Sequence, residues 1–325
     1  MKILITGGAG FIGSHLVDCL IEKGHKVVVI DNLSTGRKEN LHPLLLSKKH
    51  GATPLFFKKG GGKFYKLDIL SPEISRIFKQ EKPEVVFHLA AQINVRKSVE
   101  NPFEDARINI LGALNVLENC KKVGVKKIIF TSSGGAIYGD AQITPTPEHS
   151  SARCFSPYAV AKLTTEQYLN YYYQVFGLPF TSLRLANVYG PRQDPRGEAG
   201  VVAIFIDKLL KKNKPVIFGN GRQTRDFVFV YDVVDSFLRV LNQQNCNNAI
   251  YNVGTGIETS INRLWQLVSK KIGKEIKPIF EPSKINGELK RSCLSYAKIK
   301  KELGWKPKYN LEQGLEKTVN YFKSF

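Results

Sequence analysis

Long apolar runs are missing from this 325-residue chain. No stretch approaches the roughly 18 consecutive apolar residues that a membrane-crossing helix needs, so no membrane-spanning helix and no membrane partner is expected. The opening Met1-Lys2-Ile3-Leu4-Ile5-Thr6-Gly7 lacks the long apolar core and small-residue cleavage site of a secretory leader. It reads as a strand, and the chain is expected to stay in the cytoplasm. Cysteine is scarce: five residues, at 19, 120, 154, 246 and 293, form no CxxC pair, and their odd number argues against a disulfide framework. The six histidines show no HExxH motif or close pairing, so no metal site is expected. Acidic residues are few as well. Asp plus Glu is 28 against 48 for Lys plus Arg, a formal charge of +20. Such a balance raises nucleic acid or acidic membrane as partners. Yet Lys48-Lys49, Lys58-Lys59 and Lys211-Lys212 are short, scattered and not interleaved with aromatics as a single-strand platform would be. A lysine-rich surface around a pocket for an anionic ligand is the simpler reading, with no nucleic-acid partner.

What is present is a globular composition, 42% hydrophobic and 23% charged. The first half alternates short β-branched runs with longer helical patterns, the signature of βαβ units and a parallel sheet. Strands are predicted at Lys2–Thr6, Lys26–Ile30, Phe64–Leu67, Glu84–Leu89, Lys126–Thr131 and Phe180–Leu185. Helices are predicted near Ile12–Lys23, Ser71–Glu81, Pro102–Val123 and Pro157–Phe176. His42–Lys63 breaks the rhythm and, with Gly60-Gly61-Gly62, reads as an exposed flexible loop. After Asn187 the run Tyr189-Gly190-Pro191-Arg192-Gln193-Asp194-Pro195 is turn chemistry followed by shorter mixed elements. The expectation is a doubly wound (Rossmann) α/β domain over 1–186, with segments around 226–255 returning to it. A smaller α/β substrate domain would occupy 187–325.

Thr6-Gly7-Gly8-Ala9-Gly10-Phe11-Ile12-Gly13 follows the first strand and opens a helix. Gly7 allows a tight turn, Gly10 close approach of a pyrophosphate and Gly13 close helix packing, while the helix N-terminus offers free N–H groups to phosphates. Asp31 ends the second strand 18 residues after Gly13. Its carboxylate suits both hydroxyls of an adenosine ribose and repels a 2′-phosphate, which favours NAD. Arg37 and Lys38 nearby keep NADP open, and a plain turn residue is the other reading of Asp31. Tyr158-Ala159-Val160-Ala161-Lys162 follows Ser156-Pro157, and spacing of four puts phenol and ammonium on one helix face. A lysine cation beside a tyrosine lowers the phenol's pKa and makes it a usable base. An ordinary amphipathic pair is the alternative. Thr131-Ser132-Ser133 ends a predicted strand, where ligands of doubly wound sheets bind.

With Asp68-Ile69, His88-Leu89-Ala90-Ala91, Asn109, Arg184–Gln193, Arg225-Asp226-Phe227 and Leu303-Gly304-Trp305, these motifs cover essentially the whole chain. The sequence resembles an extended short-chain dehydrogenase/reductase of the nucleotide-sugar epimerase/dehydratase family. The resemblance implies that NAD is held by Gly7, Gly10, Phe11, Ile12 and Gly13, then by Asp31, Asn32, Ser34, Thr35 and Gly36. Asp68 and Ile69 would flank the adenine, and Leu89, Ala90, Ala91 and Gln92 would line the pyrophosphate side. Asn109 would support the nicotinamide half or the adjoining helix, and Thr131, Tyr158 and Lys162 complete the set. For each of these packing is the blander role, and His88 reads as a core histidine. Catalysis would fall to Ser133, Tyr158 and Lys162. Ser132 competes with Ser133 because Gly134-Gly135 makes this loop one residue longer than in many relatives.

The resemblance assigns substrate contacts to Ser133, Asn187, Val202, Val216, Phe218, Arg225 and Glu288. A surface ion pair is the alternative for Arg225-Asp226. The family's second phosphate-binding arginine is replaced by Ile285, with Lys284, Lys290 or Arg291 as candidate substitutes. Cys293 falls near a position where small residues widen the sugar pocket. The loop Ser133-Gly134-Gly135-Ala136-Ile137-Tyr138 carries no acid, which counts against dehydration. The implied activity is a 4-epimerase interconverting UDP-glucose and UDP-galactose, extending to the N-acetyl sugars, through a 4-keto intermediate. UDP-glucuronate epimerisation or decarboxylation, or another reaction of the family, is the alternative. Outside enzymology, an NAD-binding regulatory protein gripping acidic partners is the third reading. The family also implies a homodimer, built on helices near 102–122 and 157–176.

Overall fold

The computed structural model describes residues 1–42, 61–196, 200–243, 246–282 and 289–324. In chain order the strands are β1 (Lys2–Thr6), β2 (Lys26–Asp31), β3 (Gly61–Lys66), β4 (Val85–His88), β5 (Lys127–Ser133), β6 (Phe180–Leu185), β7 (Asn187–Tyr189), β8 (Val216–Phe218), β9 (Thr224–Phe229), β10 (Ala249–Val253), β11 (Glu258–Ser260), β12 (Ile279–Glu281) and β13 (Arg291–Ser292). Seven form one parallel sheet in the order β10-β6-β5-β4-β1-β2-β3. Runs such as Val27-Val28-Val29-Ile30 and Val85-Val86-Phe87 are apolar at every position because helices cover both faces of this sheet. Alternate residues therefore serve different layers. Ile3, Ile5, Val27, Val29 and Phe87 pack with Leu16, Val17, Val233 and Phe237. Leu4, Val28, Ile30, Val86 and Phe130 pack on the other side with Phe78, Leu117, Leu169 and Tyr172.

The strand order reverses on either side of β1, which has β2 on one flank and β4 on the other. The helices that follow β1 and β4 lie on opposite faces, Leu16 and Val17 in one cluster and Val116 and Leu117 in the other, and open a crevice at the carboxyl ends of these strands. A third cluster lies beyond β6. There Tyr189, Val202, Phe205, Ile206, Phe229, Leu264, Trp265 and Leu315 pack together. The small sheet of β7, β9, β11 and β13 crosses this region, and β8 pairs with β12 beside it.

Four elements differ from the sequence expectation. Gly61–Lys63 belong to β3, paired in parallel with β2 from Lys26↔Gly61 to Asp31↔Lys66, and not to a flexible loop. Backbone hydrogen bonding to an edge needs no side chain, so glycines serve there; positions 43–60 of the expected loop lie outside the described residues. A short helix at Val95–Glu100 was not anticipated; Asn94 caps it by accepting from the Lys97 N–H. Pro102–Val123 is helical but passes through a wider π turn at Arg107–Leu111. Ser71 and Pro72 stay outside the helix that follows, which runs Ile74–Glu81.

Candidate active site

The loop between β1 and the helix Phe11–Glu22 is shaped by contacts that only glycine tolerates. Gly7 has φ +74°, and a Cβ there would lie 2.7 Å from the Ala90 nitrogen at the start of the loop after β4. A Cβ on Gly13 would fall 2.1 Å from the Gly7 oxygen. Strand, turn and helix are thus pressed into backbone contact, and Gly10 caps the helix without a side chain of its own. First-turn amides remain to meet an anion at the carboxyl end of β1. Asp31 closes the far side: Oδ2 accepts from the Ala9 N–H at 2.9 Å and Oδ1 from the Leu33 N–H at 2.8 Å. Two acceptor directions of the carboxylate remain for hydroxyl donors. Arg37 is turned onto Asp194 at 2.8 Å, which takes it into an ion pair away from a 2′-phosphate role. A dinucleotide fits these residues.

Asn32 and Asp68 join the two loops that border this cradle, with Asn32 Nδ2 donating to Asp68 Oδ2 at 2.8 Å. Asn32 Oδ1 accepts from the Ser34 N–H, holding an exposed turn of Ser34 and Thr35, while Gly36 lies against Asp31. Ile69 is buried against Gly112. Phe11 and Ile12 sit half-buried at the helix start, and Leu89, Ala90 and Ala91 line the opposite lip. Asn109 is a brace. It accepts from the Gln92 N–H and donates to the Gln92 oxygen, both at 2.9 Å, and so fixes this lip to the helix bundle. His88 is buried beneath, 2.7 Å from the Thr6 hydroxyl and stacked on Phe130. Burial, with Lys162 nearby, holds its imidazole down at about 3, so it is neutral and structural.

Tyr158 and Lys162 stand on the helix Pro157–Phe176, whose start is set by Ser156 accepting from the Ala159 N–H and by Pro157 in the first turn. Lys162 is 4% exposed and donates to the Thr131 oxygen at 2.9 Å, with its ammonium 5.7 Å from the Tyr158 ring centre. Burial pulls the ammonium down to about 8, against the neighbouring carboxylates of Asp105 and Glu166. Ser133, at the end of β5, hydrogen-bonds Tyr158, whereas Ser132 faces the other way and its buried hydroxyl has no partner among the described residues. One expectation changes. Burial pushes the Tyr158 phenol up to about 12; the Ser133 bond opposes this and the Asp105 charge adds to it. Burial therefore keeps the phenol protonated at neutral pH in the protein alone, while the Lys162 ammonium donates its hydrogen bond to a main-chain carbonyl.

The residues assigned to substrate are more dispersed. Asn187 begins β7 and approaches Gly135 in the loop after Ser133. Val216 and Phe218 are half-buried on β8, with the Arg96 guanidinium 4.8 Å over the Phe218 ring. Arg225 donates to the Thr224 and Leu289 oxygens at 2.8 and 2.9 Å. Asp226 is fully buried, accepting from Thr255, Gly256 and Leu294, so an Arg225–Asp226 surface pair is ruled out. Val202 is 1% exposed within the third cluster and packs with it rather than facing a ligand. Arg291 is paired with Glu258, and Lys290 meets Asp140 through its main-chain N–H. Cys293 is buried beside them, and burial pushes its thiol up to about 12. Glu288, with Lys284 and Ile285, lies outside the described residues. Asp105 was missed by the sequence reading. Its spacing of four from Asn109 on one helix was the available signal.

Similarity to known proteins agrees with this geometry. Residues 3–254 match the profile of the NAD dependent epimerase/dehydratase family. The UDP-glucose 4-epimerase of Mycolicibacterium smegmatis is 44% identical over 324 residues, covering 100% of this chain and 99% of that one. A crystal structure of UDP-glucose 4-epimerase with UDP-glucose from Thermotoga maritima is 47% identical, with TM-score 0.92 over 100% of this chain and 99% of that one. The Thermus thermophilus UDP-glucose 4-epimerase complex with NAD is 40% identical, with TM-score 0.89 over 99% of both chains. The chain belongs to the NAD-dependent epimerase/dehydratase family.

Proposed function

We infer that the chain is an NAD-dependent UDP-glucose 4-epimerase, interconverting UDP-glucose and UDP-galactose. The observation that carries the reading is the meeting of Ser133, Tyr158 and Lys162 at the carboxyl end of β5, beside the glycine cradle of β1. Gly7, Gly10, Gly13 and Asp31 would hold the dinucleotide. NAD+, when bound, would supply an acceptor and donor for the C4 hydride and positive charge near the phenol. Tyr158, deprotonated under that charge, would take the C4 hydroxyl proton and give it back, with Ser133 holding the same oxygen. Lys162 keeps positive charge behind the ring, opposing the cost of the phenolate in a buried site. Asn187 and Arg225 would anchor the diphosphate while the 4-keto sugar turns over, so that binding to the non-reacting nucleotide retains the intermediate.

The finer assignments are part of the same proposal. Residues 1–186, with 226–255 returning, would form the cofactor domain, and 187–325 the sugar-nucleotide domain. Parallel pairing of β10 with β6 supports the return. The five cysteines are all free, as suits the cytoplasm. Exposed apolar residues along the helices of 102–123 and 157–176 support a homodimer, and galactose metabolism is the setting the reaction implies.

Proton NMR time courses with UDP-galactose, UDP-N-acetylgalactosamine and UDP-glucuronate in separate tubes test the reading. The anomeric signals should show UDP-galactose becoming UDP-glucose, and relative rates give the width of the sugar pocket. Turnover of the uronate alone would replace the assignment. Tyr158→Phe should lose about 1,000-fold in kcat while retaining bound NAD. A variant turning over at near the wild-type rate would remove Tyr158 from its role.

A further inference from the structure

Asp105 is a carboxylate buried to 1% exposure, and nothing in the family reading uses it. It projects from the helix turn Pro102–Ala106, held between the lip after β4 and the helix that carries Tyr158 and Lys162. Its Oδ1 accepts from Gln92 Nε2 at 2.8 Å and from Asn109 Nδ2 at 3.0 Å. Its Oδ2 is buried with no hydrogen-bond partner among the described residues. The Asn109 main-chain oxygen in turn accepts from the Thr165 hydroxyl, one turn beyond Lys162, so the residue that carries the bracket is tied to the helix of Tyr158 and Lys162. A buried carboxylate that is only half satisfied is expensive unless its charge serves a cation.

We propose that Asp105 is a positioning residue that locks the Gln92–Asn109 bracket through Oδ1 and, by its charge in this buried cluster, holds Lys162 in its ammonium form. Among the described residues, Glu166, His88 and Tyr158 are the other titratable groups near Lys162. Glu166, on its own helix, is committed to Arg184 by bonds at 2.6, 3.0 and 3.2 Å. His88 is neutral, and burial keeps the Tyr158 phenol protonated until the positive charge of a bound cofactor lowers it. Burial pushes the Asp105 carboxyl up, while its bonds from Gln92 and Asn109 and the Lys162 charge pull it back, so its charge is coupled to Lys162 rather than committed to an ion pair. Its field raises the ammonium of Lys162 and also raises the phenol of Tyr158. Both groups should titrate lower once that charge is removed.

The inference rests on Tyr158 being the acid–base group, and its test has a readout that does not need turnover. In Asp105→Asn the amide oxygen still accepts from Gln92 and Asn109, so the bracket survives while the charge is lost. The near-ultraviolet phenolate signal of Tyr158, taken as the difference from Tyr158→Phe, should titrate lower by roughly one pH unit in the asparagine background. The bell-shaped kcat profile should move toward acid on both limbs by a similar amount, with KM changed less than about twofold. Asp105→Glu should restore the wild-type profile. A folded asparagine variant with lower activity and unmoved limbs would make Asp105 merely structural and overturn the proposal. If that variant does not fold, Asp105→Ser, smaller but still an acceptor, carries the same expectation. Carbon NMR of aspartate-labelled wild-type enzyme, assigned by the resonance lost in Asp105→Glu, should find the carboxyl ionised at neutral pH. A protonated carboxyl there would also overturn it. Failure of the wild type to turn over any UDP-sugar would refute the functional reading and leave the phenolate titration to decide Asp105.

Discussion

At the scale of single residues, Asp31 shows one side chain holding a turn and presenting a ligand surface together. Its two oxygens accept the Ala9 and Leu33 amides, which ties the glycine loop to the end of β2. Asp31→Ala leaves both amides without an acceptor in a buried place, at about 1–3 kcal/mol each where water cannot reach. The expected outcome is a lower denaturant midpoint together with loss of bound NAD on gel filtration. Full NAD retention would show that the carboxylate does not reach the ribose. Its place at the end of β2 beside the glycine loop was legible because strand, glycine turn and helix are local in sequence and the 18-residue spacing follows from one βα unit. Asp105 was not legible for the opposite reason. Its partners Gln92 and Lys162 come from a β-loop and another helix, and only the fold brings them near. The direction of the Lys162 ammonium was not legible either: spacing of four puts ammonium and ring on one face but does not say that the ammonium turns to a carbonyl.

Among the elements, the helix Pro157–Phe176 was readable end to end. Ser156 and Pro157 define its start, and Gly177, in the left-handed conformation, its end. β3 and the helix Val95–Glu100 were not, because pairing with β2 rescues a glycine run and an asparagine cap sustains a helix of only six residues. What joins the helix carrying Tyr158 and Lys162 to the sheet was equally invisible. Glu166 reaches across to Arg184 on β6 in a buried bidentate pair, and Arg184 also donates to the Tyr138 hydroxyl at 2.8 Å. Burial alone makes such a pair a weak source of stability, but removing one partner strands the other's charge. Glu166→Gln should therefore lose about 3–5 kcal/mol in urea denaturation. An unchanged midpoint would mean that water or a rearranged Tyr138 satisfies Arg184.

For the molecule as a whole, two features oppose each other. The chain carries a formal charge of +20, so two copies repel when they approach. Yet Phe103 is 87% exposed, and Leu111, Val160, Tyr171, Val175 and Phe176 are each more than 40% exposed along the two helical stretches expected to form a dimer. Exposed apolar surface on this scale marks an interaction face, and the gain on covering it is not weakened by salt. The repulsion is weakened, because charges far from the contact are screened beyond about 8–10 Å at physiological ionic strength. A dimer held this way should therefore tighten as salt rises, opposite to one held by ion pairs. Sedimentation equilibrium should find a lower dissociation constant in high salt than in low salt, and Phe103→Glu should give monomers at every salt concentration. Dimers that loosen with salt, or that survive the glutamate, would place the interface on charged surface elsewhere on the molecule.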